Sequence, residues 1–243
     1  MKKTYASATI GGTVLSRYQD LIVGSRSLGI LMYYEWCMLM SNIPGSIGLF
    51  IRKLFWPCLF EACGKGVQFG SGIILRHPHR IKLGNHVIVS EGCILDARNE
   101  EQENVINIGS DVVLSNNVML SCKKGTVTIG DRSGLNAQTI IQSVDCNPVV
   151  IGSDVVIGPR CYIVGGSNYK TDRLDIQICR QGMKKDGGVI IENDVWLGYN
   201  VMVMGGVRIQ SGSIAAAGSI ITKSIPPRTV SAGQPAKIIK YRD

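Results

Sequence analysis

The stretch IENDVWLGYNVMVMGGVRIQSGSIAAAGSII, residues 191–221, puts an aliphatic side chain at every sixth position without a break: Ile191, Leu197, Val203, Ile209, Ala215 and Ile221. A half-buried strand alternates with period two and a helix repeats every 3.6 residues, so a sustained period of six belongs to neither. It belongs to a chain coiled into a triangular prism, in which three short strands complete each turn and every sixth residue points at the axis. The expected fold is therefore all-β, a left-handed parallel β-helix of hexapeptide repeats.

The same phase runs upstream. Ile108-Gly109 leads to Leu114 and Leu120, Ile129-Gly130 to Leu135 and Ile141, and Ile151-Gly152 to Ile157 and Ile163. Leu83, Val89 and Leu95 keep it, and Cys63, Phe69 and Leu75 begin it. Four residues after each aliphatic the chain turns a corner, and a small or β-branched residue is needed there. Val87, Cys93, Val112, Val118, Val155, Cys161, Val195, Val201 and Ser213 occupy those positions. Cys93 and Cys161 are thus expected in the core as small apolar groups. The phase breaks at 96–107, 121–128, 142–150 and 164–190, and each break predicts a loop leaving one and the same corner of the prism.

Residues 1–62 lack the phase. Large apolar residues at helical spacing predict two or three helices, broken near Pro44-Gly45 and Pro57. The longest apolar run, Leu28 to Met40, contains Glu35 and falls short of the roughly 20 residues that span a bilayer. Two roles are open for this segment. It would cap the exposed end of the β-helix, or lie on an anionic membrane surface through Arg26, Arg52 and Lys53 beside Trp36, Phe50, Phe55 and Trp56. The division expected is 1–62 as helical cap or membrane-surface segment and 63–243 as β-helix domain with an extruded loop at 164–190.

Composition limits the partners. Of 243 residues 45% are hydrophobic, which supports a core, and the net charge of +8 favours an anionic partner such as a phosphorylated cofactor, an acidic saccharide or a membrane. No aromatic-basic platform marks nucleic-acid binding. Eight cysteines without CxxC spacing argue against a zinc site or a disulfide scaffold, so reduced thiols in a cytoplasmic protein are expected. The basic start MKKTYASATIGG is followed by no apolar run of signal-peptide length, and secretion is not expected.

Residues 63–243 resemble the hexapeptide-repeat acyltransferases, the superfamily of galactoside, maltose, serine and polysaccharide O-acetyltransferases. VWLGYNVMVMGGVRIQSGSIAAAGSIITKSIPPRTVSAGQPAKII, residues 195–239, carries the resemblance most closely. IPGSIGLFIRKLFWP and LRHPHRI are similar to acetyltransferases found with bacterial surface-polysaccharide enzymes. The resemblance implies a homotrimer, acetyl-CoA as acyl donor in grooves between neighbouring prisms, no metal, and a saccharide acceptor. By motif, Trp196, Gly198, Ala217, Gly218 and Ser219 would line the pantetheine arm, with a backbone N–H of the AAGS stretch holding the thioester oxygen as it gains charge. Lys223 and Lys237 would meet the CoA phosphates, and Pro226 and Pro227 would shape the turn against the adenine. The ordinary alternative for both lysines is a solvated surface charge.

In the resembled family a histidine of the long loop takes the acceptor's proton. Here the loop keeps Gly165-Gly166, Asp172-Arg173, Asp175 and Gln181-Gly182 but holds no histidine. The vacant place falls on Asn168, Tyr169 or Lys170. Tyr169, Lys170, Asp172 or Asp175 remain as candidate bases, while an aspartate beside Arg173 also reads as a plain ion pair. His77 and His79 lie about four coils earlier, roughly 19 Å along the axis, and His86 lies at another corner. Two further classes stay in view. A zinc carbonic anhydrase on this prism needs three converging histidines, which the spacing of 77, 79 and 86 does not reproduce. A catalytically impaired CoA-binding or assembly protein would keep AAGS and TKSIPP and lose the base.

Overall fold

The computed structural model describes residues 12–99, 102, 105–166 and 168–242; the basic N-terminal stretch 1–11 lies outside them. From Ala62 onward the chain winds into a parallel β-helix of about seven turns. Three sheets form its sides. The first stacks seven strands from Ala62–Cys63 to Arg208–Ile209, and the third seven from Ile74–Arg76 to Ile220–Ile221. The second holds nine, from Gln68–Phe69 through Trp196–Leu197 to a closing antiparallel hairpin, Thr229–Gly233 with Ala236–Tyr241.

Every phase residue from Phe69 to Ile221 is buried, and so are the nine corner residues four places on. Burial pushes the thiols of Cys93 and Cys161 up to about 11, which leaves them as inert packing groups. Parallel stacking in register repeats the same geometry coil after coil. The two tight corners need one residue per turn in the left-handed region. His86, Asp111, Arg132, Asp154 and Asp194 supply it at one corner, and Asn117, Gln138, Arg160 and Asn200 at the other. Between the third and first sheets the chain turns tightly where Met202–Val203 runs into Arg208–Ile209, with Gly206 at positive φ, and in earlier coils the predicted loops all leave there.

Among the described residues three α-helices precede the prism: α1 (Val14–Tyr18), α2 (Leu28–Leu39) and α3 (Gly45–Phe55), the last capped by Pro44. They meet the first coil through long-range polar contacts. The Tyr34 hydroxyl donates to Leu75 O at 2.6 Å and Ser41 Oγ to Ile73 O at 3.2 Å, while Trp56 packs on Phe69 with ring centroids 5.3 Å apart. Arg52 donates to the carbonyls of Phe69 (2.9 Å), Ser41 (3.1 Å) and Ile43 (2.8 Å). Arg52 and Trp56 are therefore buried and are no part of a membrane-facing surface, contrary to the sequence expectation. The reason is that a guanidinium, with five donors, satisfies several carbonyls at once where the helices meet the prism. The polarity of α3 is thereby inverted, with Ile47, Phe50 and Leu54 facing outward. Among the described residues no helix is long and apolar enough to cross a membrane.

Candidate functional site

The corner between the second and third sheets builds the first half of the site. There the AAGS turn, residues 216–219, joins Ile214–Ala215 of the second sheet to Ile220–Ile221 of the third. The N–H groups of Ala216, Gly218 and Ser219 are spent on Ser231 O (2.8 Å), Tyr199 O (2.8 Å) and Ala216 O (3.2 Å). Among the described residues the N–H of Ala217, an exposed residue, has no partner. Gly198 lies one coil below, and a Cβ on it would stand 2.7 Å from Ala217 N, so glycine keeps that approach open. A free backbone donor of this kind suits an oxygen that gains negative charge. Ser219 departs from expectation. It is fully buried and its hydroxyl donates to Ala216 O at 2.6 Å, so its side chain does not line an outer groove.

Trp196 projects from the second sheet, half exposed, into an open groove of about 410 Å³ with Val156, Ile214, Asp194 and Arg242. The two lysines stand on different elements. Lys223 follows the last strand of the third sheet, whereas Lys237 sits on the closing hairpin at the end of the second. Both are exposed. Pro226 turns the chain between them, and its carbonyl accepts from Ser213 Oγ (2.7 Å) and Thr229 Oγ1 (2.8 Å); Pro227 is exposed beside it.

The extruded loop forms the second half, at the neighbouring corner. Its base is pinned by two residues that sequence reading missed. Asn147 Oδ1 accepts from the N–H groups of Asp186 and Gly187, each at 3.0 Å, and the Asp186 carboxylate accepts from Gly166 N (3.0 Å) and Gly188 N (2.9 Å). Gly166 and Gly188 both hold positive φ, and a Cβ on Gly188 would stand 1.9 Å from Pro148 O. The only prior signal was an Asn and an Asp at either end of phase breaks, which sequence alone does not pair.

Further out, Lys170 N donates to Gly182 O (3.0 Å) and Lys184 N to Asn168 O (2.7 Å), which folds the loop back on itself. A short helix, α4 (Ile178–Gln181), brings Gln181 round so that its amide bonds Arg173 O (2.6 Å) and Ile176 O (2.8 Å). Arg173 in turn grips Asp175, donating from Nε at 3.0 Å. That bond is the chief reason the Asp175 carboxyl sits below its usual range. The structure thus brings Arg173, Asp175 and Gln181 together as a scaffold and leaves Asn168, Tyr169, Lys170 and Asp172 exposed on it. Asp175 is bound as the ion-pair reading expects, and a carboxylate held ionised beside a guanidinium makes a weak base.

The histidines stand elsewhere. His77 is buried under the turn that follows α1, with Nε2 2.9 Å from Asp20 O. His86 is exposed against Asp111 at 3.2 Å. Among the described residues no cluster of three histidine, cysteine or acidic side chains is placed to hold a metal ion.

No family model matches the chain. In sequence it is 36% identical over 112 residues to a Lysinibacillus sphaericus protein named "Probable macrolide acetyltransferase", across 38% of this chain and 62% of that one. It is 35% identical over 97 residues to an acetyltransferase-named protein of Schizosaccharomyces pombe, across 40% of this chain and 45% of that one. The chain thus spans about half the length of the curated relatives it matches. Among solved structures it superposes on the polysialic acid O-acetyltransferase OatWY with a TM-score of 0.56 at 22% identity, covering 73% of this chain and 80% of that one. It also superposes on AntD, an N-acyltransferase from Bacillus cereus, with a TM-score of 0.53 at 21% identity, covering 76% and 85%. At such identities the superpositions speak for the fold alone. The parallel β-helix and the sequence likeness together fit the hexapeptide-repeat acyltransferase family.

Proposed function

We propose that the protein is an acetyl-CoA-dependent O-acetyltransferase acting on a hydroxyl of a saccharide, in the making of surface polysaccharide. The observation that carries this reading is the unpartnered Ala217 N–H beside Gly198, one corner away from an extruded loop that presents polar side chains. The acceptor oxygen attacks the thioester carbonyl carbon, the C–S bond breaks, and the thiolate leaves with the proton that a loop group took from the hydroxyl. Ala217 N–H steadies the oxygen of the tetrahedral intermediate. With Asp175 engaged by Arg173, the base falls to Tyr169, Lys170 or Asp172.

Loop and AAGS turn lie at different corners of one prism, so a concave site needs a neighbouring copy. A homotrimer fits that need, and the outward apolar residues Ile88, Val113, Val156 and Trp196 on the second sheet support it. Lys223 and Lys237, on different elements, would then meet CoA in the groove between copies. The saccharide class rests on the solved neighbours, one crystallised with dTDP-4-amino-4,6-dideoxyglucose and coenzyme A and another acting on polysialic acid. Of the segment expected at 1–62, the described residues 12–62 would serve as a cap. Their outward Leu28, Met32, Leu39, Ile47, Phe50 and Leu54 would also rest on the cytoplasmic face of a membrane.

The missing histidine favours a second reading, a CoA-binding assembly protein without transfer. The test measures CoA thiol release with acetyl-CoA and a panel of nucleotide-linked and lipid-linked sugars, for wild type and for Tyr169→Phe, Lys170→Met and Asp172→Ala. Transfer by wild type and a loss of about 100-fold or more in one variant that still binds CoA assigns the base. Tight CoA binding with no acceptor-dependent release by wild type overturns the transferase reading in favour of the second.

A further inference from the structure

A cleft of about 330 Å³ separates the turn after α1 from the first coils, four coils away from the extruded loop and on the same corner. Asp20, Gly24, Arg26, His77 and Arg80 line it. Among the described residues, two polar atoms of side chains that line it, His77 Nδ1 and Arg80 Nη1, are buried without a hydrogen-bond partner. Burial of an unpartnered polar atom costs free energy, and such atoms in a native fold call for an explanation. His77 itself is only 3% exposed and adopts a left-handed backbone with φ 51°, so the fold holds the ring in place at some cost.

The chemistry of the missing partner follows from the donors. His77 Nε2 faces the Asp20 carbonyl, which only accepts, so Nε2 carries the ring proton. Nδ1 is then a bare acceptor and asks for a donor such as a hydroxyl. Arg80 Nη1 is a cationic donor and asks for an anionic oxygen. Gly24 packs against both rings at the wall of the cleft, where a Cβ would stand 2.8 Å from His77 Nδ1 and 2.5 Å from His79 Cε1. The Asp20 carboxylate on the rim is neutralised by Arg26, with bonds of 2.9 Å from both Nε and Nη2. Among the described residues that line the cleft, the guanidinium groups of Arg26 and Arg80 outnumber the one carboxylate, Asp20.

We propose that this cleft binds a phosphate ester bearing a free hydroxyl, its phosphoryl oxygens on Arg80 and its hydroxyl donating to His77 Nδ1. A polyol or sugar phosphate carries that pair of groups, and so does a glycerophosphate lipid headgroup. The site is independent of the acyl-transfer chemistry.

Calorimetric titration of the full chain, with CoA present so that any phosphate subsite for the carrier is filled, tests it. Glycerol 1-phosphate binds saturably at one site per chain, inorganic phosphate binds more weakly and glycerol does not bind. Arg80→Gln weakens the binding about ten-fold or more, the loss of a hydrogen bond to a charged group. In wild type, ¹⁵N spectra of the His77 ring show Nδ1 shift as glycerol 1-phosphate is added. Co-sedimentation with vesicles of phosphatidylglycerol in phosphatidylcholine distinguishes the source: Arg80-dependent vesicle binding with silent glycerol 1-phosphate assigns the headgroup. Failure of both probes, equal binding by Arg80→Gln, or an unmoved Nδ1 resonance in the bound state overturns the proposal. If CoA itself does not bind, the transferase reading fails while this test still stands.

Discussion

Two kinds of corner divide the molecule. At the two tight corners each coil repeats its predecessor, with a left-handed residue, a buried small residue and a backbone N–H handed to the coil beside it. At the third corner the coils differ, and the extruded loop and the His77 cleft both lie there. The tight corners are held by many equivalent apolar contacts, whereas the open corner is held by a few unlike polar ones. Repetition therefore carries stability, and the single corner released from it carries whatever is particular to this protein.

The comparison breaks first if the core is not the main support. Leu120, fully buried on the third sheet, is a representative core residue. Leu120→Ala is expected to cost about 3 kcal/mol and to lower Tm by roughly 10 °C in thermal unfolding followed by circular dichroism. A loss below about 1 kcal/mol would mean that the coils are carried by their corners instead.

The open corner has its own signature in pH. Burial chiefly, then the cations of Arg80 and His79, lower the His77 ring from 6.5 to about 4, against the raising effects of the bond to Asp20 O and the Asp96 carboxylate. Because the folded value lies below the unfolded one, the unfolded chain binds the extra proton between them. Stability from this group is complete above pH 6.5 and declines as pH falls toward 4, by on the order of 2–3 kcal/mol. Asp20, paired with Arg26, has a lowered value and stays ionised across this window. Urea unfolding between pH 7 and 4.5 is expected to show the decline in wild type and a flatter profile in His77→Phe. Parallel profiles would place the titration elsewhere.

The smallest effect sharpens the contrast most. Asn147→Ala removes the acceptor shared by Asp186 N and Gly187 N and is expected to cost about 1 kcal/mol, confined to the loop. Amide exchange at Gly166, Gly187 and Gly188 should quicken and acyl transfer should fall, while Tm stays nearly that of wild type. A large drop in Tm would show that the loop supports the prism.

The sequence by itself determined the repeated part. The six-residue phase, the small residues four places on and the corner from which the loops leave are properties of each coil, written again in every coil, so a one-dimensional reading recovers them. It also located the loop frame, and Arg173, Asp175 and Gln181 did come together, because they lie within eight residues of one another. Only the tertiary structure decided the rest. It set Arg52 and Trp56 inward, closed Ser219 into its own turn and left Ala217 N–H free. It also joined Asn147 to Asp186 across 39 positions and laid Asp20 on His77 across 57. The last two are single contacts between unlike residues far apart in the chain, and the others turn on which atoms packing buries and which it leaves open. Nothing in the period records them, because they are chosen by packing in three dimensions.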